Sequence, residues 1–136
     1  VADYPAYKVI AEAGGAGEFE VSADAMAVLL KKNIDFDVVM GGNDPTALGA
    51  LATLQQYHRE DGVLIYGIDG SPDFKSMLKL GYVTATSMQS PKTIGRVAAE
   101  TAYQYLDGQK VDPYISIEPE MLTRENLEDY EINGWQ

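Results

Sequence analysis

Three polar side chains sit where chemistry could happen: Asn43, Asp69 and Gln89. Each ends an apolar run and stands just ahead of a helix opening that contains proline. Val38-Val39-Met40 leads to Asn43, then Asp44-Pro45. Val63-Leu64-Ile65-Tyr66-Gly67-Ile68 leads to Asp69, then Ser71-Pro72. Thr84-Ala85-Thr86-Ser87-Met88 leads to Gln89, then Ser90-Pro91. In an open α/β sheet, ligands bind in the crevice beyond the carboxyl ends of the strands. One acceptor-only carboxylate between two amides, each both donor and acceptor, suits a ligand rich in hydroxyls. An aromatic, Phe19, follows the Gly14-Gly15-Ala16-Gly17 loop. It either packs inward or stacks on a ligand ring.

Other chemistries find less support. Asp69 could be a nucleophile or phospho-acceptor, but such sites hold Mg²⁺ with a second acid. Asp44 is the nearest candidate, and its Asp-Pro context reads first as a helix cap. The single histidine, His58, stands at a polar helix end where it suits the helix dipole. No histidine or carboxylate cluster has metal-ligand spacing. The glycine loop lacks the dinucleotide spacing, and no nucleophile elbow or phosphate-loop lysine signature is present. No metal, cofactor or catalytic residue is expected.

The elements that position the trio follow from periodicity. Tyr7–Glu12 is expected as a first strand and Ser22–Lys32 as a helix, with Met26, Leu29 and Leu30 along one face. Asp44 is expected to cap a helix from Pro45 to about Arg59. Gly49 inside it points to close packing of that helix on the sheet. Helices opening at Pro72 and Pro91 should stop at Gly81 and Gly108. Ile115-Ser116-Ile117 reads as a short strand, and Thr123–Tyr130 as a last helix capped by Thr123. The acidic stretch from Glu118 to Glu131 reads as a solvated face. The β-α alternation predicts an α/β fold, an open parallel sheet flanked by helices.

Composition excludes several partners. Ten basic residues against 21 acidic ones give a net charge of −11. That balance disfavours nucleic acid and anionic membrane surfaces. There is no cysteine, hence no disulfide framework or thiolate metal site. No apolar run reaches the ~20 residues of a membrane-spanning helix. No signal peptide is legible at Val1, so an exported protein would be represented here by a mature product or a piece.

Taken together, Gly42-Asn43-Asp44 with Ala47-Leu48-Gly49-Ala50, Tyr66-Gly67-Ile68-Asp69-Gly70, Ala85-Thr86, and Gln89-Ser90-Pro91 with Ile94-Gly95 resemble the ribose-type periplasmic sugar-binding proteins. Leu122-Thr123-Arg124-Glu125-Asn126-Leu127 resembles the carboxyl end of their transport branch. The resemblance runs from about Tyr7 to the end of the chain, and extends to the effector lobes of lactose-repressor-type regulators. It implies a Rossmann-like lobe in which Asn43, Asp69 and Gln89 bind sugar hydroxyls and Phe19 lies near the aromatic that covers a sugar face. It further implies a substrate-binding component of an ATP-binding-cassette importer, periplasmic or extracytoplasmic, lipid-anchored in a Gram-positive cell, with a small sugar and a membrane permease as partners and no enzymatic activity. The alternative is the sensing lobe of a regulator; an aspartyl-based enzyme or phospho-acceptor is the third.

Against that pattern, residues 1–136 correspond to the C-terminal lobe alone. The N-terminal lobe, and the first strand and helix of this lobe, have no counterpart. An exposed sheet edge, open to strand exchange or dimerisation, is therefore expected.

Overall fold

The computed structural model describes residues 3–136. The chain forms helix α1 (Phe19–Leu30), strand β1 (Val38–Met40), helix α2 (Asp44–Gln56), strand β2 (Leu64–Asp69), helix α3 (Pro72–Leu80), strand β3 (Ala85–Met88), helix α4 (Pro91–Leu106) and strand β4 (Glu120–Thr123). A single 3-10 turn, Leu127–Asp129, follows. The sheet runs in the order β1-β2-β3-β4. The first three strands are parallel, and β4 pairs with β3 antiparallel. The α/β class expected from the sequence holds, with one antiparallel edge added to the parallel set.

Sequential strand order has a consequence. Right-handed crossovers between neighbours put both connecting helices on the same side of the sheet. Leu51 and Leu54 of α2 and Phe74 and Leu78 of α3 accordingly share one core with Ile65, Met88 and Leu122. The opposite side of the strands carries Val38, Met40, Leu64, Ile68 and Met121, and all five are exposed. Register places Val38 beside Leu64, and Ile68 beside Ser87, which in turn faces Met121. This side is thus largely open among the described residues, except where Ile68 and Ser87 face Ile94 and Ile117 across a cavity.

Helix α1 lies on α2 through Met26 and Leu30, four residues apart on one face. Gly49 belongs to this contact rather than to a helix–sheet one: a side-chain carbon there would sit 2.2 Å from the Phe19 carbonyl oxygen. Helix α1 begins at Phe19, three residues before the expected start. Ser22 lies inside the helix, and its hydroxyl donates across to the Thr46 carbonyl.

Two expected strands are absent. Tyr7–Glu12 forms no strand, and Tyr7, Val9 and Ile10 are exposed, since no strand adjoins it. Residues 115–117 are likewise coil, and β4 forms further on, at Glu120–Thr123. The expected last helix shrinks to a 3-10 turn because Thr123 closes the strand, its N–H donating to the Asn126 side chain. The acidic stretch around it is not wholly solvated, since Leu122 and Leu127 are buried.

The carboxyl-terminal segment is pinned from within. Lys75 of α3 is fully buried, and its ammonium donates to the Glu131 and Gly134 carbonyls. Burial pulls this ammonium below the usual lysine range, partly offset by the nearby Glu131 charge. Helix α4 contrasts with all of this. None of its 16 residues is buried, although Ile94, Tyr103, Tyr105 and Leu106 are large and apolar.

Candidate functional site

The three parallel strands end side by side, and the segments that follow them form one rim. On it, Asp69 and Gln89 meet directly. The Gln89 amide nitrogen donates to Asp69 Oδ1 at 2.8 Å, and the Gln89 backbone N–H donates to the Asp69 carbonyl at 3.1 Å. Gln89 is exposed and Asp69 half-buried. Among the described residues, the second carboxylate oxygen of Asp69 and the amide oxygen of Gln89 make no hydrogen bond, and remain able to meet hydroxyls.

Asp69 holds an unusual backbone. Its φ is 125°, a left-handed value rare outside glycine, and Gly70 follows at 75°. Such a residue costs about 1–3 kcal/mol and persists only where its surroundings enforce it. Gly70 has no alternative at its position, because a side-chain carbon would lie 2.3 Å from Met88 Cγ. The corner turns the chain from β2 into α3, which Ser71 caps by accepting from the Phe74 N–H at 3.3 Å.

Asn43 sits one strand away and is engaged differently. It, not Asp44, caps α2: its side-chain oxygen accepts from the Thr46 N–H at 3.0 Å, and Thr46 Oγ1 accepts from the Asn43 N–H at 3.1 Å. This reciprocal pair forms a capping box. The Asn43 amide nitrogen donates one N–H to the Gly17 carbonyl at 3.0 Å, and its second N–H has no acceptor among the described residues. Through Gly17 it holds the loop ahead of Phe19. Phe19 is the first residue of α1 rather than a loop residue, and is 39% exposed. The structure therefore joins Asp69 to Gln89, and Asn43 to the loop before Phe19, as two neighbouring pairs on one rim.

Asp44 corrects the sequence expectation most sharply. It is the first residue of α2 and is fully buried. Its Oδ2 accepts from the Ser71 N–H at 2.6 Å and its Oδ1 from the Thr86 hydroxyl at 2.7 Å. Burial raises its carboxyl above the ordinary carboxylate range, while the Ser71 and Thr86 donors pull the other way. With both oxygens so occupied, Asp44 does not serve as the second acid of a metal-dependent aspartyl site. His58 is exposed at the end of α2, as expected. Among the described residues, no group of three histidine, cysteine, aspartate or glutamate side chains could hold a metal. Next to Gln89, a cavity of about 320 Å³ is lined in part by Ile68, Ser87, Ile94 and Ile117.

Residues 1–110 match a protein-family profile described as the periplasmic binding protein domain. The chain belongs to the periplasmic binding protein family. It is 34% identical over 102 residues to the ribose import binding protein of Escherichia coli K12, a match spanning 75% of this chain and 34% of that protein. It is 31% identical over 110 residues to a rhizopine-binding protein of Rhizobium meliloti, described as putative, over 80% of this chain and 36% of that one. Among solved structures, a solute-binding protein of Actinobacillus succinogenes with bound D-allose superposes with a TM-score of 0.89 at 26% identity, covering 95% of this chain and 46% of its own. One from Bacillus halodurans with bound myo-inositol gives 0.87 at 28% identity, covering 93% and 44%. The fold is thus that of a periplasmic binding protein, and the chain spans about a third of the length of the curated relatives it matches.

Proposed function

We propose that residues 1–136 form the C-terminal lobe of the substrate-binding component of a sugar importer of the ATP-binding-cassette type. The observation that carries it is the Asp69–Gln89 pair, held at the carboxyl end of adjacent strands in a chain of this family. Asn43 supplies the third polar group, and Phe19 an exposed ring on the adjoining helix. Planar polar groups pair with sugar hydroxyls, and an analogue lacking one hydroxyl leaves a buried partner unsatisfied, which gives specificity. The site performs no catalysis. A small monosaccharide is bound as a second lobe closes over it.

The uncovered side of the sheet, the unburied α4 and the coverage of relatives support an incomplete lobe, whose missing strand, helix and partner lobe come from elsewhere in the polypeptide or from another chain. The protein acts in the periplasm or another extracytoplasmic space, lipid-anchored in a Gram-positive cell, and delivers its sugar to a membrane permease.

Calorimetry on the full-length polypeptide with D-ribose, D-allose and myo-inositol tests the assignment. Micromolar or tighter binding of one of them, without metal, is expected. Asp69→Ala should weaken it by about 2 kcal/mol or more, as for a buried charged hydrogen bond. Undiminished affinity in that variant would remove Asp69 from the site, and Mg²⁺-dependent phosphorylation of Asp69 would refute the assignment.

A further inference from the structure

The backbone around Asp69 is held at three successive points. Its carbonyl accepts from the Gln89 N–H at 3.1 Å. The next N–H, of Gly70, donates to Thr86 Oγ1 at 3.3 Å, and the one after, of Ser71, donates to Asp44 Oδ2 at 2.6 Å. Thr86 in turn donates its hydroxyl proton to Asp44 Oδ1. Asp44 and Thr86 are both fully buried and lie 42 residues apart in the chain. The neighbouring rung of the sheet is shaped to admit them. Gly67 pairs with Thr86 in register, and a side-chain carbon on Gly67 would stand 2.2 Å from Asp44 Oδ1.

Each of these features is locally unfavourable. Burying a carboxylate costs desolvation that its hydrogen bonds only partly return. Glycine inside a strand weakens it. A left-handed aspartate is strained. All three converge on one residue, whose side chain is then turned onto Gln89. Local rules are broken in this concerted way at functional sites.

We infer that Asp44 and Thr86 are positioning residues for sugar recognition: they clamp the two peptide groups after Asp69 and so fix the direction of its carboxylate. This rests on the proposed sugar site, and it assigns the affinity contributed by Asp69 to a buried pair that touches no ligand.

A double-mutant cycle tests it in the full-length polypeptide, with D-ribose, D-allose and myo-inositol as probes. Thr86→Val removes the hydroxyl at nearly constant volume. It should weaken binding about tenfold or more when Asp69 is present, and less than about twofold in an Asp69→Ala background. Thr86→Ser, which keeps the hydroxyl, should restore most of the affinity. Equal losses in both backgrounds would overturn the inference, since a merely structural role does not depend on Asp69. If Thr86→Val does not fold, Asp44→Asn carries the same cycle with a loss of about three- to tenfold and the same criterion. If the unmutated polypeptide binds none of the three probes, the sugar assignment falls. Positioning is then decided by nuclear magnetic resonance: the Asp69 amide–Hα coupling and the Gln89 side-chain amide shift should both change in Thr86→Val. Unchanged values would overturn it.

Discussion

The corner after β1 and the corner after β2 are written in nearly the same residues and do different work. In the first, Asn43 caps its own helix and the acid behind it, Asp44, disappears into the core. In the second, a separate serine, Ser71, caps the helix, and the acid ahead of it, Asp69, stays on the rim. With Ser71 taking the capping task, the Asp69 carboxylate is left on the rim, where Gln89 donates to it. Burying Asp44 provides the acceptor that holds the second corner in shape. A polar group at a strand end is therefore not one kind of residue. Its role depends on which neighbour satisfies the first turn of the helix.

The comparison can be broken at several points. The largest effect is expected at Asp44. Asp44→Ala leaves the Ser71 N–H and the Thr86 hydroxyl buried without their acceptor. It should cost about 3 kcal/mol in urea unfolding, at the upper end of the penalty for unsatisfied groups. Caps should rank next. Asn43→Ala and Ser71→Ala should each cost about 1 kcal/mol. Ser90→Ala should cost only a few tenths, because the Ser90 side chain makes no cap bond to α4. Equal losses at all three serine and asparagine positions would mean that the repeated sequence pattern, not the observed bonding, sets the energetics.

A smaller change of opposite sign is expected at the second corner. Asp69→Gly relieves a left-handed backbone and should raise stability by up to about 1 kcal/mol while sugar affinity is lost. A destabilised Asp69→Gly would show that the corner is not strained. The last test is pH. The Asp44 carboxyl is raised by burial, so the native state holds its proton more tightly than the unfolded chain. Its contribution is then fully present below the ordinary value of 3.8 and is lost as pH climbs through the higher native value. Relative to Asp44→Asn, the unmutated protein should gain stability as pH is lowered through that window. A gap that widens with rising pH instead would contradict the sign.

Much of this architecture is legible in local sequence. Strand β1, the two proline-opened helices that close at Gly81 and Gly108, and the rim that holds Asn43, Asp69 and Gln89 all follow from periodicity and end signals. The Asn43 cap was also within reach, since Asn43 and Thr46 have capping-box spacing. The true role of Asp44 was not. Its partners lie 27 and 42 residues away, and no local pattern marks them. The expected strands at Tyr7–Glu12 and Ile115–Ile117 failed for a related reason. Alternation shows that a segment can pair, but pairing needs a neighbour, and β3 found its neighbour at Glu120–Thr123 instead. Gly49 does mark a close approach, but to helix α1 and not to the sheet that its place in the pattern suggests.

The bare side of the sheet has a colloidal consequence. Handled alone, these 136 residues carry an oily panel on an anionic particle whose isoelectric point is about 4.3. Mutual repulsion near neutrality keeps such particles apart, so acidifying toward that point, or screening the repulsion with salt, should make them flocculate.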